Sequence, residues 1–192
     1  WATLGTSAAA GQQKATLSPQ VALDWNSYAV AALRAATTLD GVPPGSAPRA
    51  LYQVEGLIYM GYVQAAVYDA VVKIEHRYWP YVGFSAGAGN ASPEAAVVAA
   101  AYSTLTHYLG DPSGTLATEY ATSLASLPND ASTQRGIAVG RLAAAEIEAV
   151  RFADGRDAPT AVYGAPGPVV AGAWQVVPPF TTAQTPWVAF MA

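Results

Sequence analysis

The chain has 192 residues and a mass of 19.8 kDa, enough for one domain with a sizeable core, and it is 52% hydrophobic but only 11% charged. That charge content is less than half of the roughly 25% usual in soluble domains, so much of the surface is either covered by a partner or built from Ala, Ser, Thr and Tyr. A net charge of −4 with nine scattered Lys and Arg offers no basic patch for nucleic acid, and the lack of cysteine excludes disulfide frameworks, thiolate metal sites and cysteine nucleophiles.

Residues 1–17 read as a flexible N-terminal segment. The chain opens at Trp1, and residues 2–10 are small and polar, like mature sequence just after an export cleavage site. This favours a secreted or periplasmic bacterial protein and leaves a cytoplasmic one open. Residues 18–154 read as a helical bundle. Ser18-Pro19 is an N-cap followed by a first-turn proline and opens a helix to about residue 38, with Val21, Trp25, Tyr28, Ala32 and Leu33 at helical spacing. Gly41-Val42-Pro43-Pro44-Gly45 breaks the chain.

A long helix is expected over residues 47–75. Residues 56–68 carry no charge, so this helix should be central and buried, with Gly56 and Gly61 allowing another helix to approach. A membrane span is disfavoured because Glu55 and Asp69 interrupt the ~20 apolar residues it needs. Ser92-Pro93-Glu94 opens a helix to residue 109, and Asp111-Pro112 opens another to 126. Asp130 caps a fifth that runs to 154 and stops at Gly155. On that last helix Arg141, Glu148 and Arg151 form a stripe expected to face solvent, opposite Glu146. No stretch alternates as a strand, so the fold class is all-α. Residues 155–192 form an extended Pro/Gly-rich tail carrying Trp174, Phe180 and Trp187. A connection longer than roughly 12–15 residues is usually functional or leads elsewhere. This one is expected to dock its aromatics on a missing C-terminal half or on a partner chain.

The chemistry-bearing patterns are few. Gly83-Phe84-Ser85-Ala86-Gly87 matches the nucleophile elbow in letters, but that motif needs a strand before it and a helix after it. A flexible glycine loop is the better reading. His76 and His107 fall at helix ends without paired metal-ligand spacing, and each more simply meets a helix dipole. Glu55, Tyr59, Tyr62, Asp69 and Lys73 fall on one stripe of the long helix. On one reading they line a cavity, with Glu55 and Asp69 as acid–base groups. On the favoured reading they are buried, mutually bonded groups, with Asp69 and Lys73 paired at i,i+4. No phosphate-binding loop, dinucleotide fingerprint or calcium loop is present.

A series of landmarks occurs in order: Ala22-Leu23-Asp24-Trp25-Asn26, Pro43-Pro44, Arg49, Ala66-Val67-Tyr68-Asp69-Ala70-Val71 and Tyr78-Trp79-Pro80-Tyr81. Ala91-Ser92-Pro93-Glu94-Ala95-Ala96 and Gly136-Ile137-Ala138-Val139-Gly140 follow. The tail adds Tyr163, Pro166-Gly167, Gly172-Ala173-Trp174, Pro178-Pro179 and Pro186-Trp187. Together these resemble the N-terminal helical half of bacterial vanadium-dependent haloperoxidase-like proteins, relatives of the type 2 phosphatidic acid phosphatases. The resemblance implies an all-α fold and an oxyanion site for vanadate or phosphate, built from a Lys, two Arg, a Ser-Gly-His segment and a second His in the C-terminal half. None of these carries over. Lys14 and Lys73 are the only lysines, neither precedes Arg-Pro, and no Ser-Gly-His occurs. Gln64 stands where relatives often have a histidine.

Two readings follow. In the first, the chain is the scaffold half of a haloperoxidase-like or acid-phosphatase-like enzyme. Its catalytic, cofactor-binding and metal residues then lie elsewhere, vanadate belongs to the complete enzyme, and this chain alone is inactive. In the second, it is a non-catalytic helical binding or assembly protein that kept the scaffold and lost the site. The expected partner is the C-terminal half of the same precursor or a second chain, and a homo-oligomer remains open.

Overall fold

The structure, a computed structural model, describes residues 18–39 and 45–156 together with Thr185, Val188 and Met191. Among these the architecture is all-α: α1 (Pro19–Ala35), α2 (Gln53–Glu75), α3 (Pro93–Leu109), α4 (Thr115–Ala125) and α5 (Ala131–Val150). A two-residue antiparallel ladder, β1 (Thr37–Thr38) with β2 (Arg49–Ala50), is the one strand pair described. The flexible segment expected at 1–17, residues 41–44 of the predicted break, and Trp174, Phe180 and Trp187 lie outside the described residues.

Two of the predicted caps set their helix starts, whereas the Ser18 side chain makes no cap bond and its amide donates to Glu94 instead. Ser92 Oγ accepts from the Ala95 amide at 3.1 Å, and Asp130 accepts from the Thr133 amide at 2.9 Å. Several boundaries shift for local reasons. The first helix stops at Ala35 rather than 38 because Thr37 and Thr38 pair with β2. The long helix begins at Gln53 rather than 47, because Arg49–Ala50 is strand and Glu55 caps the helix by accepting from the Tyr52 amide at 2.6 Å. Asp111 stays outside α4 and accepts from the Leu116 and Ala117 amides at 3.2 and 2.8 Å, so the helix opens only at Thr115.

The centre of the bundle is α3. Residues Ala95 to Ala101 are all buried, together with Thr104 and Leu105, whereas α2 leaves Leu57 and Tyr68 exposed. One face of α3 joins α2 and α5 around Ala66, Ala70, Ala96, Ala100, Val139 and Ile147. Its other face joins α1, α2 and α4 around Trp25, Val63, Leu105 and Leu116. Met191 packs, partly buried, against the first of these clusters. By length and composition α2 could cross a membrane, and 39% of its most apolar window is buried inside the bundle.

The close helix approach occurs on α5, not at the glycines of α2. A Cβ on Gly136 would lie 2.3 Å from the Ser92 carbonyl oxygen, and one on Gly140 would lie 2.3 Å from that of Ala96. Nothing lies within 4 Å of the corresponding positions at Gly56 and Gly61. Gly136 meets the start of α3, Gly140 its second turn, and Glu148 its last, so the two helices run side by side in the same direction. The Ser92 amide also donates to the Ser132 carbonyl at 3.0 Å, tying their starts together.

Gly140→Ala is therefore expected to lower stability by about 1–3 kcal/mol, because backbone must move to admit the methyl group. Gly61→Ala, at an exposed site with open space, should instead gain up to about 1 kcal/mol from helix propensity. Urea unfolding of the two variants beside the parent measures both.

Candidate functional site

The polar stripe of α2 separates into three anchors, each joining the helix to a different segment. At its start, Glu55 is 4% exposed and takes a bidentate pair from Arg49, with both N–O distances at 2.7 Å. The small ladder delivers Arg49 to this position, and its guanidinium also lies 3.9 Å from the centre of the Tyr52 ring. Near the other end, the Asp69 carboxylate accepts from the backbone amides of Tyr81 and Val82, the latter at 2.8 Å. Lys73 does not pair with Asp69 but donates to the Phe84 carbonyl at 2.6 Å. Asp69 and Lys73 thus grip Tyr81, Val82 and Phe84 of the loop between α2 and α3, whose Phe84 and Ala88 enter the core.

The middle anchor brings Tyr59 and Tyr62 together with residues the sequence did not single out. Their rings and that of Tyr108 on α3 lie 5.0 to 6.2 Å apart, in edge-on and tilted arrangements. The Arg156 guanidinium covers this group, 4.9 Å from the Tyr108 ring centre, 5.8 Å from Tyr62 and 6.0 Å from Tyr59. Asp154, 4% exposed, accepts a hydrogen bond from the Tyr62 hydroxyl and another from the Arg156 amide at 3.0 Å. Its carboxylate lies 4.0 Å from Arg156 Nη1. Arg151 donates to the Tyr81 hydroxyl and sits 5.9 Å from the Tyr62 ring centre.

Burial and the Asp154 bond push the Tyr62 hydroxyl well above its usual pKa. Burial also raises Tyr108, against the opposing influence of Arg156. Burial works against the Arg156 charge, but Asp154 and the surrounding phenols outweigh it, so the guanidinium stays protonated. The cluster fastens the end of α5 to α2 and α3. The signal that marks it in the sequence is Asp154-Gly155-Arg156, opposite charges across a glycine with φ +88°.

The stripe of Arg141, Glu148 and Arg151 does not face solvent as a unit. Glu148 is half-buried, pairs with His107 at 3.3 Å and has its pKa raised by burial, with His107 acting the other way. Arg141 donates to the Tyr120 hydroxyl at 3.2 Å. His76 takes the left-handed conformation at the end of α2, φ 55°. Ser85 is exposed in the loop, several residues before α3 begins. Gln64 donates to Asn26 at 3.1 Å and links α2 to α1.

Among the described residues no group of three or more His, Asp or Glu could hold a metal ion. These residues also do not suit vanadate. An oxyanion pocket needs converging cations and donors, whereas Arg151 and Arg156 are directed to tyrosines and the Asp154 carboxylate stands beside Arg156. In comparisons with known proteins, no family model, curated protein or solved structure matches the chain.

Arg49→Met should destabilise the fold by about 3–5 kcal/mol, since it strands a buried carboxylate. Asp69→Ala should cost about 1–3 kcal/mol through two amides left without an acceptor. Chemical unfolding checks both, and hydrogen exchange should quicken at Tyr81 and Val82 in Asp69→Ala. Burial also holds the Asp69 pKa up, outweighing its two amide bonds. Asp69 and Glu148 therefore bind a proton more tightly in the folded chain. The stability this supplies is complete below the ordinary carboxylate range, near pH 4, and is lost as pH rises through the raised folded values. The stability of the parent relative to Glu148→Gln should consequently fall from pH 4 to pH 7, as thermal melts across that range would record.

Proposed function

We propose that this chain is the helical scaffold of a vanadium haloperoxidase-like or acid-phosphatase-like enzyme, whose oxyanion-binding residues are supplied from outside these 192 residues. The observation that carries the reading is the work done by the landmark residues themselves. Asp69, in the Tyr-Asp-Ala-Val run, fastens the Tyr-Trp-Pro-Tyr-Val loop. Gly136 and Gly140 make the seam with α3, and Ser92 caps α3 where that seam begins. Arg49 closes on Glu55. The ordered landmarks are thus residues that fix a scaffold, and the carboxylates eligible for acid–base chemistry are occupied in holding loops and helix ends. In this reading vanadate or a phosphate ester binds at residues contributed by the C-terminal half of the precursor or by a second chain. The bundle then serves as the rigid support.

Assembly without catalysis is the second reading, and exposed aromatics favour it. Trp79 is 90% exposed in one loop with exposed Tyr78 and Tyr81, and Phe152, 84% exposed, follows Arg151, which donates to the Tyr81 hydroxyl. Single apolar residues on a surface need no explanation, but several large ones together mark a contact face.

Purified residues 1–192 should show no halide oxidation with vanadate and hydrogen peroxide, and no phosphate-ester hydrolysis. Co-purification of the native protein should recover a polypeptide carrying the Lys, Arg and His set, and turnover with it. Turnover by the chain alone that Glu55→Gln or Asp69→Asn abolishes would overturn the proposal. Recovery of a partner without that set would favour the assembly reading.

A further inference from the structure

A groove between α1, the α3–α4 turn and α4 lies apart from the three anchors and has no part in the scaffold role. It encloses about 470 Å³, within the range of small-molecule sites. Tyr28, Ala32 and Ala35 lie on one face of α1, and the small alanines leave the space open. Leu109 extends the apolar wall, while Asp111 and Glu119 supply charge. None of the described residues lining the groove is a Lys or Arg.

The backbone adds to this negative field. Both α1 and α3 end at the groove, at Ala35 and Leu109, and each helix C-terminus is equivalent to about half a negative charge. The N-terminus of α4 also reaches it, but Asp111 already accepts from the Leu116 and Ala117 amides there. That leaves Glu119 as the carboxylate available to a ligand. It lines the groove with Tyr28, whose pKa the nearby carboxylate raises. A carboxylate has about four acceptor positions, which leaves Glu119 room for the donors of a ligand.

We propose that this groove binds a small organic ammonium ion, with its nitrogen at Glu119 and its hydrocarbon body against Ala32, Ala35 and Leu109. A cation gains from the carboxylate and from both helix ends, and its body covers apolar surface. An anion of the same shape meets the same field as repulsion, and a fully hydrated metal ion makes no use of the alanine wall.

The probe is 2-phenylethylammonium, titrated into the full chain by ligand-observed NMR beside 3-phenylpropanoate, which has a similar body and the opposite charge. The ammonium should bind and the carboxylate should not. Ala35→Trp fills the groove from an exposed position and should abolish binding, and Ala31→Trp repeats the test should the first variant fold poorly. Glu119→Gln should weaken binding about fivefold, the scale of a solvent-exposed ion pair. Failure of the ammonium to bind, equal binding of the two probes, binding that survives in a folded tryptophan variant, or an unchanged affinity in Glu119→Gln would each overturn the proposal.

Discussion

The close contact between α3 and α5 is the constraint on which the rest of the structure depends. Gly136 and Gly140 bring the α5 backbone against the carbonyls of Ser92 and Ala96, with Ala95 and Ala99 filling the remaining space. At this separation any side chain on those two positions would displace backbone, so the seam admits almost no variation. Small residues on both helices let dispersion between the two backbones replace the interdigitation of large side chains. The alanine-rich composition and the low charge content follow from this arrangement. With α3 fixed against α5 on one side, α2 spans both helices, and α1 and α4 cover the opposite face around Trp25.

A core of short side chains leaves its irregular segments with little to grip, and buried carboxylates meet that need. Glu55 holds the strand that leads into α2, Asp69 holds the loop that leaves it, and Asp154 holds the turn at the end of α5. Each lies where an irregular stretch meets the bundle, and each faces amides, a guanidinium or a phenol rather than an apolar wall. The desolvation cost of a buried carboxylate is offset only where its lone pairs are well used. These acids are committed to the frame, which is why the scaffold reading accounts for them better than a cavity of acid–base groups does.

Local chemistry was readable along the chain. Ser92-Pro93 and Asp130 announced their helices, because a cap is a relation between residues three apart. Relations across the fold were not readable in the same way. Nothing near Gly61 or Gly140 says which of them faces another helix, since the partner lies tens of residues away in sequence. The Asp69–Lys73 spacing suggested a pair, yet both reach the intervening loop, whose path no periodicity describes. Tyr59 and Tyr62 were marked as a polar stripe, whereas Tyr108 and Arg156 come from other elements and complete the cluster only in three dimensions.

Native-state hydrogen exchange, read residue by residue, tests the place of the α3–α5 seam most directly. If the seam organises the fold, amides from Ala96 to Leu105 on α3 and from Gly140 to Ile147 on α5 should exchange slowest and together, at the free energy of global unfolding. Those of α1 and α4 should open earlier. Protection on α1 equal to or above that of α3, or exchange of α3 and α5 in separate steps, would contradict the account.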